Sequence, residues 1–499
     1  MTGDLRVVLP LACLAGGAFV VYLVARFVTS RNDLLALFTA GVLTAALTAL
    51  ALLQLAAADG GPPSGNHIPS WGHFGPDGAL LRADSGALVV IGIALGLGLL
   101  VTVYSARYLA LDRRYETFYP LLLMLIAGLI GMLLAEDLFS LYMFSELMSV
   151  AAYVLVAFRR RNTTAIEAGF KYLVMGSVGT VIVLFGISLV YRETGHLMLS
   201  QMTGTPGPWT RAGAACFLVG LGIKSAIVPL HTWLPDAHGR APSSISAMLS
   251  GVIVQSAFYT LLKVCLGLGF PTRSLGTLLI VLSLLNMTLG NGLALVQTHT
   301  KRLLAYSTIA QMGYIMLSMG VGLRYNIPEA AQAGLFLMLA QATTKGLAFL
   351  CQGVSYFYCG ATTIDQLRGI AAQMPLIAVA FSVALAGLAG VPPLAGFVGK
   401  WFILTNAVRS ADALGYVGLA VFLLNSLLAL GYYLPLIGTL FAPPLLDTEG
   451  AGARRIQVSP WMALPIITLG ALVLAIGLYP GPWLAWTANA GVYLLALRR

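Results

Sequence analysis

Charge is what this chain has least of. Acidic and basic residues together fill 9% of its 499 positions, where soluble domains carry about 25%. A water-exposed globular fold is excluded, and the mean hydropathy of +0.88 points the same way. Long polar stretches are missing too. The longest, Ala58–Ser85, contains "DGGPPSGNHIPSWGHFGPDG" and reads as a surface loop, so no large soluble domain is expected. The five cysteines form no CxxC pair and no secreted spacing, which leaves free thiols rather than a disulfide framework or a thiolate metal site. No flavin, iron–sulfur or nucleotide motif occurs. No cofactor is expected, and any redox chemistry belongs to partners.

What fills the space is apolar sequence, 59% of the chain. Clear runs are Leu34–Ala57, Ala87–Tyr104, Phe118–Ala135, Leu138–Phe158, Leu275–Leu295, Gly334–Leu350, Leu376–Val391, Gly415–Leu436 and Met462–Leu478. Each is near the length that crosses a hydrocarbon core of about 30 Å. With weaker runs between them they predict an all-α polytopic membrane protein of about 14 spans. Val8–Phe27 reads as the first span and not as a signal peptide, because only Arg6, beside Asp4, precedes it.

The net charge of +10 does not indicate nucleic acid. Arg107, Arg113 and Arg114 follow the third span, and Arg159, Arg160 and Arg161 the fifth. Lys301, Arg302, Arg454 and Arg455 lie in later odd-numbered connections, while even loops carry fewer. That asymmetry is the positive-inside pattern. It predicts a multi-pass protein of the cell (inner or plasma) membrane with both termini on the outer side.

A few charges cannot be topology signals. Glu146 is centred in "LFSLYMFSELMSVAAYVLVAF", whereas nearly all of the 18 acids fall in loops or at span ends. An ionised carboxylate at that depth costs at least about 2.5–3.5 kcal/mol, so it must face the protein interior, be paired, or be protonated. Only six of the 28 basic residues are lysine. Lys345 lies deep in "GLFLMLAQATTKGLAFL", and Lys224 and Lys400 each adjoin a proline break in an apolar run. Lys171, Lys263 and Lys301 read as interfacial. Lysine, unlike arginine, can give up its proton when desolvated. One Glu and several Lys in hydrocarbon therefore form a set able to handle protons. Two segments are broken, one at Pro229 and Pro235 and one at Pro392 and Pro393. Such breaks in matching positions of two halves point to an ion path at mid-membrane. His231, Asp236 and His238 fit no standard ligand spacing, so no metal is expected. His231 reads instead as a proton-transfer or hydrogen-bonding group close to Lys224.

"LHTWLPDAHGRAPSSISAMLSGV" resembles the signature of the antiporter-like membrane subunits. That superfamily comprises the large Mrp-type sodium/proton antiporter subunits, the proton-pumping subunits of respiratory complex I, and relatives in membrane-bound hydrogenases. "LFSLYMFSELMSVAAYVLVAF", "AIEAGFKYLVMGS", "TKRLLAYSTIAQMGYIMLSMG" and "GVPPLAGFVGKWFIL" resemble further segments of it, so the likeness spans roughly residues 85–440. It implies a 14-helix fold with two inverted five-helix repeats whose seventh and twelfth spans are discontinuous. The divisions would be 1–110 for the N-terminal spans, 111–270 and 271–440 for the repeats, and 441–499 for a C-terminal loop and last span. It also implies a midplane proton path in which Glu146 and Lys224 form a switchable pair, Lys345 follows, and Lys400 ends the series. Two positions depart from the pattern. Gln255 stands where the resemblance predicts a Lys, and Gln341 where it predicts a His. An amide orients water but does not titrate.

Lys at 400 resembles the Mrp and hydrogenase types. The sequence therefore points first to an Mrp-type cation/proton antiporter subunit carrying protons, with sodium as a second candidate ion. The alternative is a proton-pumping subunit of a complex I-like or hydrogenase complex. A stand-alone secondary transporter is a further option, and a membrane enzyme using His231, Asp236 and His238 the last. The partners expected are other membrane subunits and the lipid bilayer.

Overall fold

The computed structural model of the chain describes residues 5–27, 31–58, 70–74, 81–110, 112, 115–202, 205–410, 412–443 and 455–496. Asp4, Arg113, Arg114 and Arg454, used in the charge reading, lie outside them. The order is α1 (Leu5–Phe27), α2 (Asn32–Ala58), β1 (Ser70–Phe74), β2 (Leu81–Asp84), α3 (Ser85–Tyr108), α4 (Tyr115–Leu134), α5 (Leu138–Val156) and α6 (Thr163–Thr194). Then come α7 (Pro208–Lys224), α8 (Trp233–Arg240), α9 (Ser243–Met248), a wide π-helical turn (Leu249–Ile253), α10 (Val254–Gly267), α11 (Thr272–Leu295) and α12 (Thr300–Tyr325). The chain ends with α13 (Pro328–Cys359), α14 (Ile370–Gln373), α15 (Pro375–Ala389), α16 (Ala395–Ala407), α17 (Ala413–Phe441), α18 (Pro460–Leu478) and α19 (Gly481–Ala496).

Eleven helices among the described residues are long and apolar enough to cross a membrane, α9 to α10 counting as one. The 26-residue α12 and the broken pairs α7–α8 and α15–α16 complete the crossings that the sequence predicts. This is an all-α, multi-pass membrane protein. Some of its acids sit at span ends because they close helix starts. Asp84 Oδ1 accepts Ala87 N–H at 2.7 Å and Asp137 Oδ1 accepts Ser140 N–H at 2.7 Å. Each satisfies a donor that hydrocarbon would leave unpaired.

The core is centred on α13, whose central stretch is fully buried. It packs against α3, α9, α12, α15, α16, α18 and α19. Elements α4 to α10 and α11 to α17 follow one order: a closely packed helix pair, a long helix, a broken helix and a closing helix. In the tightest pair, α11 and α12, a Cβ at Gly290 would come 2.5 Å from Ala310 N. Only glycine allows the backbones so close.

Three expectations need correction. The Ala58–Ser85 stretch is not all surface loop: β1 and β2 pair antiparallel, and Leu81, Ala83, Asp84 and Ser85 are buried. Pro235 does not break a helix. It sits in the first turn of α8, where the missing N–H would have no intrahelical partner anyway. The C-terminal segment holds a second helix beyond the predicted last span, the 16-residue α19, which packs on α13 and α3.

Candidate functional site

The two breaks show how irregular backbone survives at depth. α7 ends at Lys224, and Ala226 follows at φ 51°, a left-handed conformation costing about 1–2 kcal/mol for a non-glycine residue. The freed groups find side-chain partners. Val228 N–H donates to Asn286 Oδ1 at 2.9 Å, Asn286 Nδ2 donates to Ala226 O at 3.4 Å, and Trp233 Nε1 donates to Ile223 O at 2.8 Å. At the second break Gly390 takes φ 91°. Gln311 Nε2 donates to Leu388 O and Lys400 Nζ to Ala389 O, both at 2.9 Å. A Cβ on Gly390 would lie 2.9 Å from Lys400 Cδ, so glycine serves both the turn and the lysine's approach.

Around these breaks the predicted residues form a broken line of polar groups. Lys224 Nζ lies 3.7 Å from Glu146 Oε1 and donates to Ser149 Oγ. The two partners differ in burial: the Lys224 side chain is 4% exposed and that of Glu146 32%. Of the three options open to a carboxylate at this depth, Glu146 takes pairing, although its side chain is only partly buried. It lies on the outward stripe of α5 with exposed Phe139, Met143, Val150 and Val154. Lys345 is wholly buried and donates to Leu304 O at 2.8 Å and to Ser307 Oγ on α12. Gln341 Nε2 donates to Gln311 Oε1 at 2.7 Å. The Gln255 amide donates to Met338 O at 3.1 Å and Gly251 O at 3.3 Å. It therefore faces α13, the helix of Gln341 and Lys345. Lys400 lies with Nζ 4.9 Å from the Tyr314 ring centre, a cation–π contact.

Other predicted residues stand elsewhere. His231 is half-buried in the first break, its Nδ1 has no hydrogen-bond partner among the described residues, and no hydrogen bond joins it to Lys224. Asp236 is held by Lys171 at 3.2 Å and Arg302 at 3.3 Å. His238 is buried and stacked on Phe349, ring centres 4.8 Å apart, one turn from Lys345 on α13. No cluster of three metal-ligating side chains occurs among the described residues. Lys171 is exposed, as expected of an interfacial lysine, but Lys263 and Lys301 are buried. Lys301 donates to Ala241 O at 2.8 Å, where a cation meets the carbonyl end of α8. Lys263 lies 3.5 Å from Asp84 and 3.9 Å from Glu136. A cleft of about 290 Å³ lined by Phe170, Lys171, Thr232, Trp233 and Asp236 opens beside the first break. Sequence reasoning missed Gln311, Tyr314, Ser149 and Ser307. Gln311 was visible as a strongly polar side chain in the middle of α12.

Residues 135–428, which hold both breaks and every residue of this line, match the family model described as NADH:quinone oxidoreductase/Mrp antiporter, TM. The chain belongs to that family. A relative of Desulforudis audaxviator named NADH-quinone oxidoreductase subunit N is 34% identical over 472 residues, covering 89% of this chain and 91% of that one. A chain of the membrane-bound sulfane sulfur reductase, an archaeal respiratory membrane complex, superposes with TM-score 0.88 at 26% identity, covering 99% of this chain and 98% of its own. A chain of the Mrp complex of Dietzia sp. DQ12-45-1b shares the fold with TM-score 0.85, at 23% identity and with 99% and 100% covered. Within the family, the named relative favours the redox-complex alternative over the Mrp-type reading that Lys400 suggested.

Proposed function

We propose that this chain is a proton-translocating membrane subunit of a complex I-like redox complex. The observation that carries the reading is the Lys224–Glu146 pair at 3.7 Å beside a broken helix, continued toward Lys400 by Gln255, Gln341 and Lys345. Its two repeats would be 111–270 and 271–440. Lys224 is the switchable member. Glu146 supplies the opposite charge that faces its ammonium; when a neighbouring charge draws Glu146 away, Lys224 releases a proton inward. The Lys345 ammonium, on two α12 acceptors, and the Gln341–Gln311 amides carry the path toward Lys400. Electron transfer belongs to partner subunits.

The outward position of Glu146 supports a partner as well. A partly exposed carboxylate on an otherwise apolar stripe is unfavourable against lipid. An adjoining subunit that covers α5 removes that cost, and a stand-alone transporter does not. Glu146→Gln tests the reading, since Gln keeps the shape and loses the charge. In the assembled complex, proton pumping should fall by at least about tenfold, equivalent to roughly 1.4 kcal/mol in the coupled step. Assembly should be unchanged. Full pumping in that variant would sink the relay. The Mrp-like fold keeps cation/proton antiport as a second reading, and sodium-dependent dissipation of a pH gradient would reveal it.

A further inference from the structure

Tyr259 and Lys263 follow Gln255 on α10 at successive intervals of four. Groups so spaced share one helix face, with about 5–6 Å between neighbouring Cβ atoms. At the far end of this stripe lies a buried ionic cluster that the lysine series does not use. The Tyr259 hydroxyl donates to Asp84 Oδ1. Lys263 Nζ stands 3.5 Å from Asp84 Oδ2 and 3.9 Å from Glu136 Oε2, and donates to Leu133 O at 3.1 Å. Arg82 Nη1 lies 3.4 Å from Glu136 Oε1, its side chain 18% exposed. The chain of contacts thus runs from a fully buried carboxylate to the protein surface. Tyr493 of α19 is buried beside these charges, and its hydroxyl has no hydrogen-bond partner among the described residues. Gly86 makes room for the tyrosine: a Cβ there would meet the Tyr259 hydroxyl.

We infer that this stripe is a second branch of the proton path, joining Gln255 to the membrane face that carries β1 and β2. The inference rests on the proposed proton-translocating function. A proton arriving from the path on a water between Gln255 and Tyr259, as hydronium, passes to the phenol oxygen as the phenol O–H gives its own to Asp84, and the water is left neutral. Tyr259 ends neutral and Asp84 protonated. Lys263 then gives a proton to Glu136 and takes the one on Asp84. Loss of the Glu136 proton to water restores the Arg82–Glu136 pair, and one proton has crossed with every group returned to its starting state. The charged and titratable groups facing the relay are Arg82, Asp84, Glu136, Tyr259, Lys263 and Tyr493. The positive-inside pattern puts this face outside, so the branch serves release.

The test uses the assembled complex in proteoliposomes. A potassium diffusion potential set with valinomycin drives protons, and an entrapped pH dye reads them. Tyr259→Phe keeps the ring and every ion pair but removes the transferable proton, so flux should drop roughly 10²-fold. Lys263→Met should match it, and Asp84→Glu should retain part of the flux. If Lys263→Met fails to assemble, Tyr259→Phe alone decides. Loss of flux in Glu146→Gln with full flux in Tyr259→Phe overturns the branch and leaves the proposed function standing. Full flux in both variants overturns the two together.

Discussion

At the first break the lysine precedes the irregular segment, and at the second it follows. Lys224 is the last residue of α7 and has a carboxylate partner on another helix. Lys400 lies inside α16 and has no carboxylate partner among the described residues: it turns back onto the carbonyl end of α15 and the face of Tyr314. The first half therefore holds its proton through a full opposite charge that a neighbour can disturb. The second holds it through fixed dipoles, which do not move. The backbones differ in the same sense. Ala226 sits in a left-handed conformation that Gly390 adopts freely. In the proposed relay, the first half would respond to a neighbour and the second would exchange with water.

The variant expected to act most strongly on that contrast is Lys400→Met. It removes the lysine that ends the proposed relay and takes the donor from Ala389 O. Dye-monitored proton exchange should fall by about 10²-fold from one face of oriented proteoliposomes and persist from the other. Equal exchange from both faces would reduce Lys400 to a packing residue. Gln255 bridges the halves, since it belongs to α10 and donates to α13. Gln255→Leu offers water no partner and should slow transport about tenfold. Gln255→Lys adds a cation facing the helix of Lys345. Like charges disfavour the protonated form, so the pH optimum of transport should move down by about one unit. An unchanged optimum would mean that the two halves are joined elsewhere.

The smallest effect is expected outside both lysines. Asp412 closes the start of α17 by accepting Gly415 N–H at 3.0 Å. The Tyr325 hydroxyl, then the Arg324 guanidinium, hold its carboxyl well below the usual carboxylate range. Its contribution is complete above the unfolded-state value and is lost only as pH falls far below it. Asp412→Ala should lower thermal stability by about 1 kcal/mol at neutral pH, with pumping intact. A pumping defect there would extend the path beyond Lys400.

Depth was legible in the sequence, and direction around a helix was not. Lys224, Lys345 and Lys400 stood out because a charge inside an apolar run demands a reason. The same reasoning put Glu146 at mid-membrane but not on the outward stripe of α5, although residues 139, 143, 150 and 154 share that helix face. Lys263 looked interfacial because its partners, Asp84 and Glu136, are far away in sequence and look like ordinary loop acids. Pro235 misled for the opposite reason: the first turn of a helix accepts proline without strain.

The wide turn at Leu249–Ile253 acts as a phase shift along its helix. Each residue added to or removed from a helix turns everything beyond it by about 100°. Gln255, Tyr259 and Lys263 all lie beyond the turn, so one local irregularity aims three polar groups together, the first at α13 and the others at the hairpin face. Removing a single residue within the turn would leave the composition almost untouched. It would also swing the whole stripe away from Met338, Asp84 and Glu136 in one step. The angular setting of this stripe is thus encoded in the width of one turn, not in the polar residues themselves.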